Sequence, residues 1–413
     1  FKNERDMTRT FVKATEEWTK NNIIKKEKKA EGIRSKIKNK LKEEEIINMR
    51  YDNVKANYLA DVLHHEVTII TYRQFDDPIF FEFSDKIKFE HFNIPDPTSQ
   101  LKGLGYWKKR ELYTNFMQTY RRKVEDYLTQ NPTDIAISMY FGAEHKFLPL
   151  LKDGSKKIME FHFHFDIMPF SKNLKAEWSV RNFRMKIQTK LFQRTLNKYD
   201  KIIVLTEQDQ QEWEKYFDNI TNIPNPITIQ PIQADPQLKK VLAVGRFTYQ
   251  KGFNYLIDAW AIINKDFPNW KLNIYGSGEL EEEFINQIKR LNLEKSIHIY
   301  PPRKDINRVF SQHSIYALSS RFEGFPLVLI ESLASGLTPV AFECKNGPKQ
   351  MMGDSRLKDF LVQPFDVKEF AEKLRILMEN ESLRTEMSNE AVNVSKRYEL
   401  IPIMELWQET FSH

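Results

Sequence analysis

The chain is poor in cysteine and glycine and has no long apolar run. Of its 413 residues only Cys344 is a cysteine, so an intrachain disulfide is excluded and a reducing compartment is indicated. No stretch reaches the roughly 18 consecutive apolar residues of a membrane-spanning helix, and the first residues lack the charged-then-apolar pattern of a signal peptide. We therefore expect a cytoplasmic protein, either soluble or peripheral at the inner face of the membrane.

The charge is unevenly distributed along the chain. Residues 1–228 contain 40 Lys and Arg against 33 Asp and Glu, whereas residues 229–413 contain 23 against 24. A basic half can attract phosphates, anionic lipid or nucleic acid, or it can be only a solvated surface. No nucleic-acid recognition motif accompanies the charge, so we expect no nucleic acid partner. An anionic membrane surface is an expected partner, contacted by the lysines of residues 25–40 or by Arg121, Arg122 and Lys123.

The order of predicted elements indicates an α/β protein with two domains, since a chain of this length exceeds one ordinary core. Strand-like runs alternate with helix-like segments on both sides of residues 223–237, where four prolines interrupt helix and sheet. We expect Rossmann-like domains at residues 51–228 and 229–393. A charged helical or poorly ordered segment at residues 1–50 precedes them. A C-terminal helix at residues 394–413 is expected to pack back on the first domain.

One stretch, RFEGFPLVLIESLASG at residues 321–336, predicts a helix that begins beside a ligand. Pro326 suits the first turn of a helix and Gly336 suits a left-handed cap at its end, so the helix is predicted over residues 326–335. Helix N-termini leave backbone amides unpaired at the positive end of the helix dipole, and an anion can bind there. The amides expected to be unpaired are those of Gly324, Phe325 and Leu327.

Two glutamates bracket this junction. Glu323 lies in the loop before the helix, and Glu331 lies inside the helix among apolar residues, where a carboxylate needs donors such as the two hydroxyls of a ribose. Strand-like runs at residues 313–321 and 337–344 flank the stretch, and in parallel sheets ligands bind beyond the carboxyl ends of the strands. The alternative is a capped core helix with one solvated glutamate.

A second candidate site is VGRFTYQKG, residues 244–252, at the end of the first predicted strand of the second half. Gly245 lets the backbone approach a ligand closely, Arg246 offers a planar set of donors and Lys251 adds a mobile positive charge. Together these residues suit a diphosphate. An ordinary surface arginine and lysine are the alternative.

Taken together, the segments VGRFTYQKGFNYLIDA, YGSGE and RFEGFPLVLIESLASGLTPVAF closely resemble the nucleotide-sugar domain of the retaining GT-B glycosyltransferases of family GT4. The order and spacing match over about residues 199–375, including VLTEQD and IPNPI before the second half and GPKQMM near its end. The two glutamates alone would be a weak signal, but joined to the upstream GRF-x3-KG motif they are specific. The resemblance implies two Rossmann-like domains facing a cleft, with the donor on the C-terminal domain and the acceptor on the N-terminal one.

The resemblance also implies roles for individual residues. Glu323 matches the residue that contacts donor-sugar hydroxyls, Glu331 matches the one that binds the ribose, and Arg246 with Lys251 matches the pair that neutralises the diphosphate. Further donor contacts are implied at Gly245, Gly276, Arg303, Gly324, Phe325, Pro326 and Leu327. The donor is expected to be UDP-linked. Because no Asp-x-Asp motif occurs in the sequence, we expect no metal and no cofactor besides the donor substrate.

The implied reaction is limited by departure of the leaving group from an oxocarbenium-like centre, so the main task is to stabilise the developing phosphate charge. Arg246, Lys251 and the helix N-terminus would do this, and we assign no covalent nucleophile. In the N-terminal half, EFHFHF places His162 and His164 on one face of a strand end, near where the family often has a cleft histidine. We assign His162 as the sugar or acceptor contact. A structural histidine, or His164 in this role, is the alternative.

The resemblance weakens before residue 54. The family begins with a short strand and a glycine-rich loop, whereas here EEEIINMRYD precedes the helix NVKANYLADVL. Our first hypothesis is a metal-independent, retaining hexosyltransferase that extends a surface polysaccharide on a glycan or lipid-linked acceptor. The second is a catalytically silent subunit that binds a sugar nucleotide or a partner protein.

Overall fold

A computed structural model describes residues 52–412, apart from 76–78, 80, 96, 102, 141–142, 164 and 169–179. Contacts divide the chain into two compact units. The first comprises Phe1–Gln130 and Pro169–Lys198, and the second comprises Asn131–Met168 and Tyr199–His413. The domain boundaries expected at residues 50, 228 and 393 stay predictions, and the segment expected at residues 1–50 lies outside the described residues.

The first unit is a small α/β assembly held by aromatic packing. Strands β1 (Thr68–Thr71) and β2 (Lys88–His91) pair in parallel, and the helices are α1 (52–61), α2 (Tyr106–Gln130) and α3 (Val180–Leu196). Phe116 and Tyr120 lie four residues apart on one face of α2, and their rings contact Tyr72 at centroid distances of 5.7 and 5.3 Å. This packing leaves Arg121 and Arg122 on the exposed face of α2.

The helix α2 is the longest of the described helices but is rich in charged residues. In the part of the chain that the structure describes, no helix combines the length and the apolar content that crossing a membrane requires.

The second unit contains two parallel sheets. Four strands lie side by side in chain order, namely β3 (Ile135–Met139), β4 (Lys156–Phe161), β5 (Lys201–Val204) and β6 (Ile220–Asn222). Six strands form the larger sheet, namely β7 (Lys240–Val244), β8 (Lys271–Tyr275), β9 (Ile297–Tyr300), β10 (Ile315–Leu318), β11 (Thr338–Phe342) and β12 (Leu361–Val362). Their spatial order is β12-β11-β10-β7-β8-β9, which is the Rossmann order. The α/β prediction with Rossmann-like parallel sheets is confirmed.

The order of the larger sheet locates a ligand site. Strands β7 to β9 are added in one direction across the sheet and β10 to β12 in the other, so the strand order reverses between the parallel neighbours β7 and β10. Ligands bind beyond the carboxyl ends of strands at such a switch point. Every residue of β10 and β11 is buried, as expected for parallel strands covered on both faces. The helices of this unit are α4 (Glu207–Trp213), α5 (Phe253–Ile263), α6 (Glu281–Arg290), α7 (Ile306–Ser311), α8 (Leu327–Ala334), α9 (Pro348–Met352), α10 (Val367–Glu379), α11 (Glu381–Ser395) and α12 (Leu400–Ser412).

The C-terminal segment differs from the prediction of one helix starting near Val394. Helix α11 runs on to Ser395, a 3-10 turn follows at Lys396–Tyr398, and α12 begins at Leu400. Pro402 explains the break, because proline lacks an N–H and is tolerated in the first turn of a helix but not in its interior. The Lys156 ammonium at the start of β4 donates to the carbonyl of Thr410 at 2.6 Å, so α12 contacts the four-stranded sheet.

The linker predicted over residues 223–237 contains no helix or strand, as expected from its prolines. Its end is fixed by Arg384 of α11, a buried guanidinium that donates to the carbonyls of Pro236 and Leu377, both at 2.6 Å. The same group lies 5.1 Å from the ring centroid of Trp270. A buried cation must be satisfied by hydrogen-bond acceptors and π-faces in this way, so the linker is attached to the second unit at this point.

Candidate active site

Two loops meet at the switch point of the six-stranded sheet. The loop after β7 contains the 3-10 turn Tyr249–Lys251, and the loop after β10 carries Glu323. Lys251 Nζ donates to Glu323 Oε1 at 2.7 Å, and the two side chains are only 13% and 6% exposed. The aliphatic part of Lys251 passes along Gly245, where an added Cβ would lie 3.1 Å from it. The structure therefore brings together three of the residues singled out in the sequence.

Glycine is required where these loops approach each other. Gly252 adopts φ +60°, and a Cβ there would lie 2.3 Å from the carbonyl oxygen of Ser319. A Cβ on Gly276, at the end of β8, would lie 1.9 Å from the carbonyl oxygen of Gly245. Backbone therefore packs directly on backbone around the candidate site, and neither position can accept a side chain without displacing a loop.

The start of the next helix corrects one expectation. Helix α8 begins at Leu327 rather than Pro326, and the Leu327 amide donates to the carbonyl of Phe325 at 2.9 Å. Pro326, with φ −76° and ψ 84°, is the centre of this tight turn, whose geometry is close to an inverse γ-turn. Leu327 is therefore not one of the unpaired amides. Those of Gly324 and Phe325 make none of the backbone–backbone hydrogen bonds seen among the described residues.

The other end of α8 agrees with the prediction to within one residue. The helix ends at Ala334, and Gly336 adopts the expected left-handed conformation with φ +77°.

Glu331 is buried inside α8, with only 1% of the residue exposed. Its Oε1 accepts a hydrogen bond from the Thr228 hydroxyl at 2.6 Å. The carboxylate in apolar surroundings thus has a donor, which burial requires. Thr228 belongs to the linker and lies 103 residues away in the chain, so no local pattern could have indicated this contact.

His162 follows directly after β4. Its Nε2 lies 3.2 Å from Glu160 Oε2, and both side chains are buried. The carbonyl oxygen of His162 faces Gly324, where an added Cβ would lie only 2.9 Å away. The end of β4 and the Glu323 loop are thus in contact, although through backbone. His164 lies outside the described residues, and the assigned role of His162 stays a prediction.

The two arginines assigned to the donor are placed differently. Arg246 is half-buried directly after β7, next to Gly245. Arg303 is exposed, and its guanidinium donates two hydrogen bonds to the Asp305 carboxylate, at 2.9 and 2.8 Å. This contact raises the pKa of the Arg303 guanidinium. The structure therefore brings Arg246 near the loop junction, whereas Arg303 forms a separate surface pair.

A buried carboxylate that the sequence analysis passed over lies in the first turn of α4. The Thr206 hydroxyl caps this helix, accepting from the Asp209 amide at 3.1 Å. The Asp209 carboxylate, 1% exposed, accepts from the Phe165 amide at 2.9 Å and from Asn346 Nδ2 at 3.0 Å. Burial raises the pKa of Asp209 to about 6, although these donors and Lys345 act against the shift.

The loop after β11, residues 343–347, contacts both neighbouring elements. Asn346, in a left-handed conformation with φ +64°, holds Asp209, and Lys345 pairs with Asp166 at 2.7 Å. On the other side, a Cβ on Gly347 would lie 2.3 Å from the Pro326 ring. The loop therefore joins the elements around the four-stranded sheet to the start of α8.

We predict that Asp209 makes stability depend on pH. Its folded-state pKa of about 6 lies above the ordinary value of 3.8. Asp209 thus binds its proton more tightly in the folded state than in the unfolded state. The stabilisation of the folded state by this proton is complete below pH 4 and is lost as pH rises through 6. At about 1.4 kcal/mol per pKa unit, the loss approaches 3 kcal/mol.

Chemical denaturation of the wild type and of Asp209→Asn at pH 4.5 and 7.5 should show the variant gaining stability relative to the wild type at the higher pH. An identical pH response of the two proteins would contradict it.

The fold and the motifs agree with comparisons to known proteins. Residues 225–394 match the family described as Glycosyl transferases group 1. An uncharacterized glycosyltransferase of Haemophilus influenzae is 38% identical over 225 residues, covering 52% of this chain and 64% of the relative. The amylovoran biosynthesis glycosyltransferase AmsD of Erwinia amylovora is 33% identical over 222 residues, covering 51% of this chain and 61% of the relative. The chain thus spans less than two thirds of the length of these relatives.

A solved structure extends the similarity beyond residues 225–394. Alr3699/HepE of Anabaena, in complex with UDP, aligns with a TM-score of 0.59 and 18% identity, covering 79% of this chain and 86% of that one. At this identity the alignment shows a shared fold. Together with the Rossmann strand order and the match over residues 225–394, it shows that the chain has the GT-B fold and that residues 225–394 are a glycosyl transferases group 1 domain.

Proposed function

We propose that the protein is a retaining, metal-independent glycosyltransferase of the GT4 type, which transfers a sugar from a UDP-linked donor to a glycan or lipid-linked acceptor in surface polysaccharide synthesis. The observation that carries the proposal is the 2.7 Å pairing of Lys251 with Glu323 beyond the carboxyl ends of β7 and β10. The name of the relative AmsD supports polysaccharide synthesis. The UDP bound to the neighbour HepE supports the nucleotide.

In the proposed reaction, the donor diphosphate competes with Glu323 for Lys251. The side chains of Lys251 and Glu323 are both largely buried, so each needs a partner of opposite charge or a hydrogen bond at every stage. The diphosphate would take Lys251 Nζ, and the freed Glu323 carboxylate would accept hydrogen bonds from sugar hydroxyls. As the leaving group departs, Lys251, Arg246 and the amides of Gly324 and Phe325 would stabilise the growing negative charge.

The nucleoside would lie toward α8. Glu331 is buried and already accepts one hydrogen bond from Thr228, and ribose hydroxyls would add further donors to the same carboxylate. Neither glutamate is assigned as a covalent nucleophile, since the proposed retention relies on attack from the face that the leaving phosphate vacates.

The proposed activity is tested by donor hydrolysis and transfer. We expect the protein to release sugar from a UDP-linked donor in the presence of a chelator, and the first anomer detected by proton NMR should have the configuration of the donor. An inverted product would contradict retention. Tight UDP binding without turnover on a panel of UDP-sugars and acceptors would instead favour the silent sugar-nucleotide-binding subunit.

The two glutamates should divide binding and turnover. Glu331→Ala removes an interaction that is equal in the ground and transition states, so it should weaken UDP affinity by about tenfold or more. Glu323→Ala should lower turnover on the order of 100-fold with a much smaller effect on UDP affinity. Calorimetric titration with UDP and initial rates of donor hydrolysis measure the two effects. Glu386→Ala, which removes an exposed glutamate of α11, is the control. Unchanged UDP affinity in Glu331→Ala would rule out the ribose assignment.

We also propose that the protein acts at the cytoplasmic membrane face, because residues 1–228 carry the excess of positive charge. Arg121 and Arg122 lie on the exposed face of α2, whereas Lys123 is less available, since its Nζ donates to the carbonyl of Phe92 at 3.2 Å. Each basic group near an anionic surface contributes on the order of 1 kcal/mol.

Co-sedimentation with vesicles tests this location. Binding to anionic but not neutral vesicles is expected, with release at high salt, since the Debye length at physiological ionic strength is only about 8 Å. The double variant Arg121→Glu/Arg122→Glu should bind more weakly. Lys289→Glu/Arg290→Glu, the same charge reversal on α6 of the second unit, should not. Equal binding to both vesicle types, or to neither, would contradict the proposal.

A further inference from the structure

The Arg321 side chain lies between two tyrosine rings. Its guanidinium carbon is 3.9 Å from the ring centroid of Tyr249 and 4.6 Å from that of Tyr255. Nη2 donates to Asn254 Oδ1 at 3.1 Å, and Nη1 donates to the carbonyl of Tyr249. All of these partners belong to the loop after β7 or to the start of α5, whereas Arg321 belongs to the loop after β10. One side chain therefore joins the two loops that carry the candidate site.

The chemistry of this contact requires an arginine. A guanidinium is flat, so it can stack on two rings at once while its edge nitrogens still donate in the plane. A lysine ammonium could approach one ring or one carbonyl, but it cannot fill the space between both rings and reach both acceptors. The contact with Asn254 Oδ1 and the contact with the Tyr249 carbonyl use different nitrogens, so they also fix the rotation of the group.

The same two loops are joined by further hydrogen bonds next to this sandwich. The Arg321 amide donates to the carbonyl of Gln250 at 2.8 Å, and Gln250 Nε2 donates to the carbonyl of Phe322 at 3.1 Å. The Ser319 hydroxyl donates to the carbonyl of Lys251 at 3.1 Å. Arg321 is thus separated by only one residue from Glu323 on its own loop, and its ring partner Tyr249 is separated by one residue from Lys251 on the other.

We propose that Arg321 is a positioning residue that sets the distance between the two loops and thereby holds Lys251 and Glu323 in the geometry that receives the donor. The joining of the two loops by Arg321, Tyr249 and Tyr255 is independent of the proposed function. The consequence for donor binding rests on the proposed function. In this proposal Arg321 acts through the backbone of Tyr249–Lys251 and of residues 319–323 rather than by contact with the donor.

Hydrogen exchange on the ligand-free protein tests the mechanical part. Arg321→Met keeps the length of the side chain but removes its planar charge. It should raise exchange about tenfold in peptides covering residues 246–256 and 317–326, because opening of these loops becomes easier. Arg321→Lys should give an intermediate result. The control is Arg375→Met, since Arg375 of α10 also lies over a ring, Phe267, and pairs with Asp266. Unchanged protection of the two loops in Arg321→Met would overturn the proposal.

A double-mutant cycle on UDP affinity tests the functional part. Arg321→Met should weaken UDP binding about tenfold in the wild-type background but less than twofold in Lys251→Met, because a residue acting through Lys251 has no effect once that ammonium is gone. Thermal denaturation of all four proteins identifies any variant that does not fold. If Arg321→Met weakens UDP binding by the same factor in the wild-type and Lys251→Met backgrounds, the positioning role is overturned. If wild-type protein does not bind UDP at all, the proposed function fails, and the exchange experiment alone decides whether Arg321 joins the loops.

Discussion

The candidate site depends on the ion pair between Lys251 and Glu323, which joins the loops after β7 and β10. Two opposite charges that are largely removed from water lose hydration, and their mutual attraction compensates only when the geometry is good. That geometry depends on loops from two strands, β7 and β10, which the chain order separates and the sheet order makes neighbours. The Rossmann order is therefore what allows a lysine and a glutamate 72 residues apart to meet, and the glycines at 252 and 276 allow the loops to come close enough.

Contacts on the far side of Glu323 connect this pair to the rest of the unit. The loop 343–347 packs on Pro326 through Gly347 and holds the buried Asp209 through Asn346. Asp209 in turn is bonded to the Phe165 amide, close to the end of β4. A continuous path of hydrogen bonds and van der Waals contacts therefore runs from the four-stranded sheet to the first residue before α8. The candidate site is supported from both sheets of its unit, not from the six-stranded sheet alone.

Much of this could be predicted from the sequence, and the limits have physical causes. Periodic apolar runs and turn residues predicted the strands, and the resemblance to the GT4 glycosyltransferases implied that Lys251 and Glu323 belong to one site. Local chemistry was misjudged at Leu327, whose amide closes a tight turn instead of remaining unpaired. The break before Pro402 was readable, since an interior proline is incompatible with the helix that was expected there.

Contacts between distant residues were not readable from the sequence. Thr228 donates to Glu331, Asn346 donates to Asp209, and Arg321 lies between two tyrosines more than 60 residues away. Each partner is an ordinary polar or aromatic residue, and only the folded chain selects it. The sequence showed that Glu331 needs donors, because burial of a carboxylate has that general consequence. It could not show which residue supplies them.

Gly324 sets a limit on how the site can be altered. The carbonyl of His162 faces it so closely that a single methyl group would act as a wedge between β4 and the Glu323 loop. At this boundary the wall of the site is made by two main chains, so its shape does not depend on which side chains surround it. Substitutions around the boundary can change polarity or size without moving the wall, whereas any substitution at residue 324 itself would force the two segments apart.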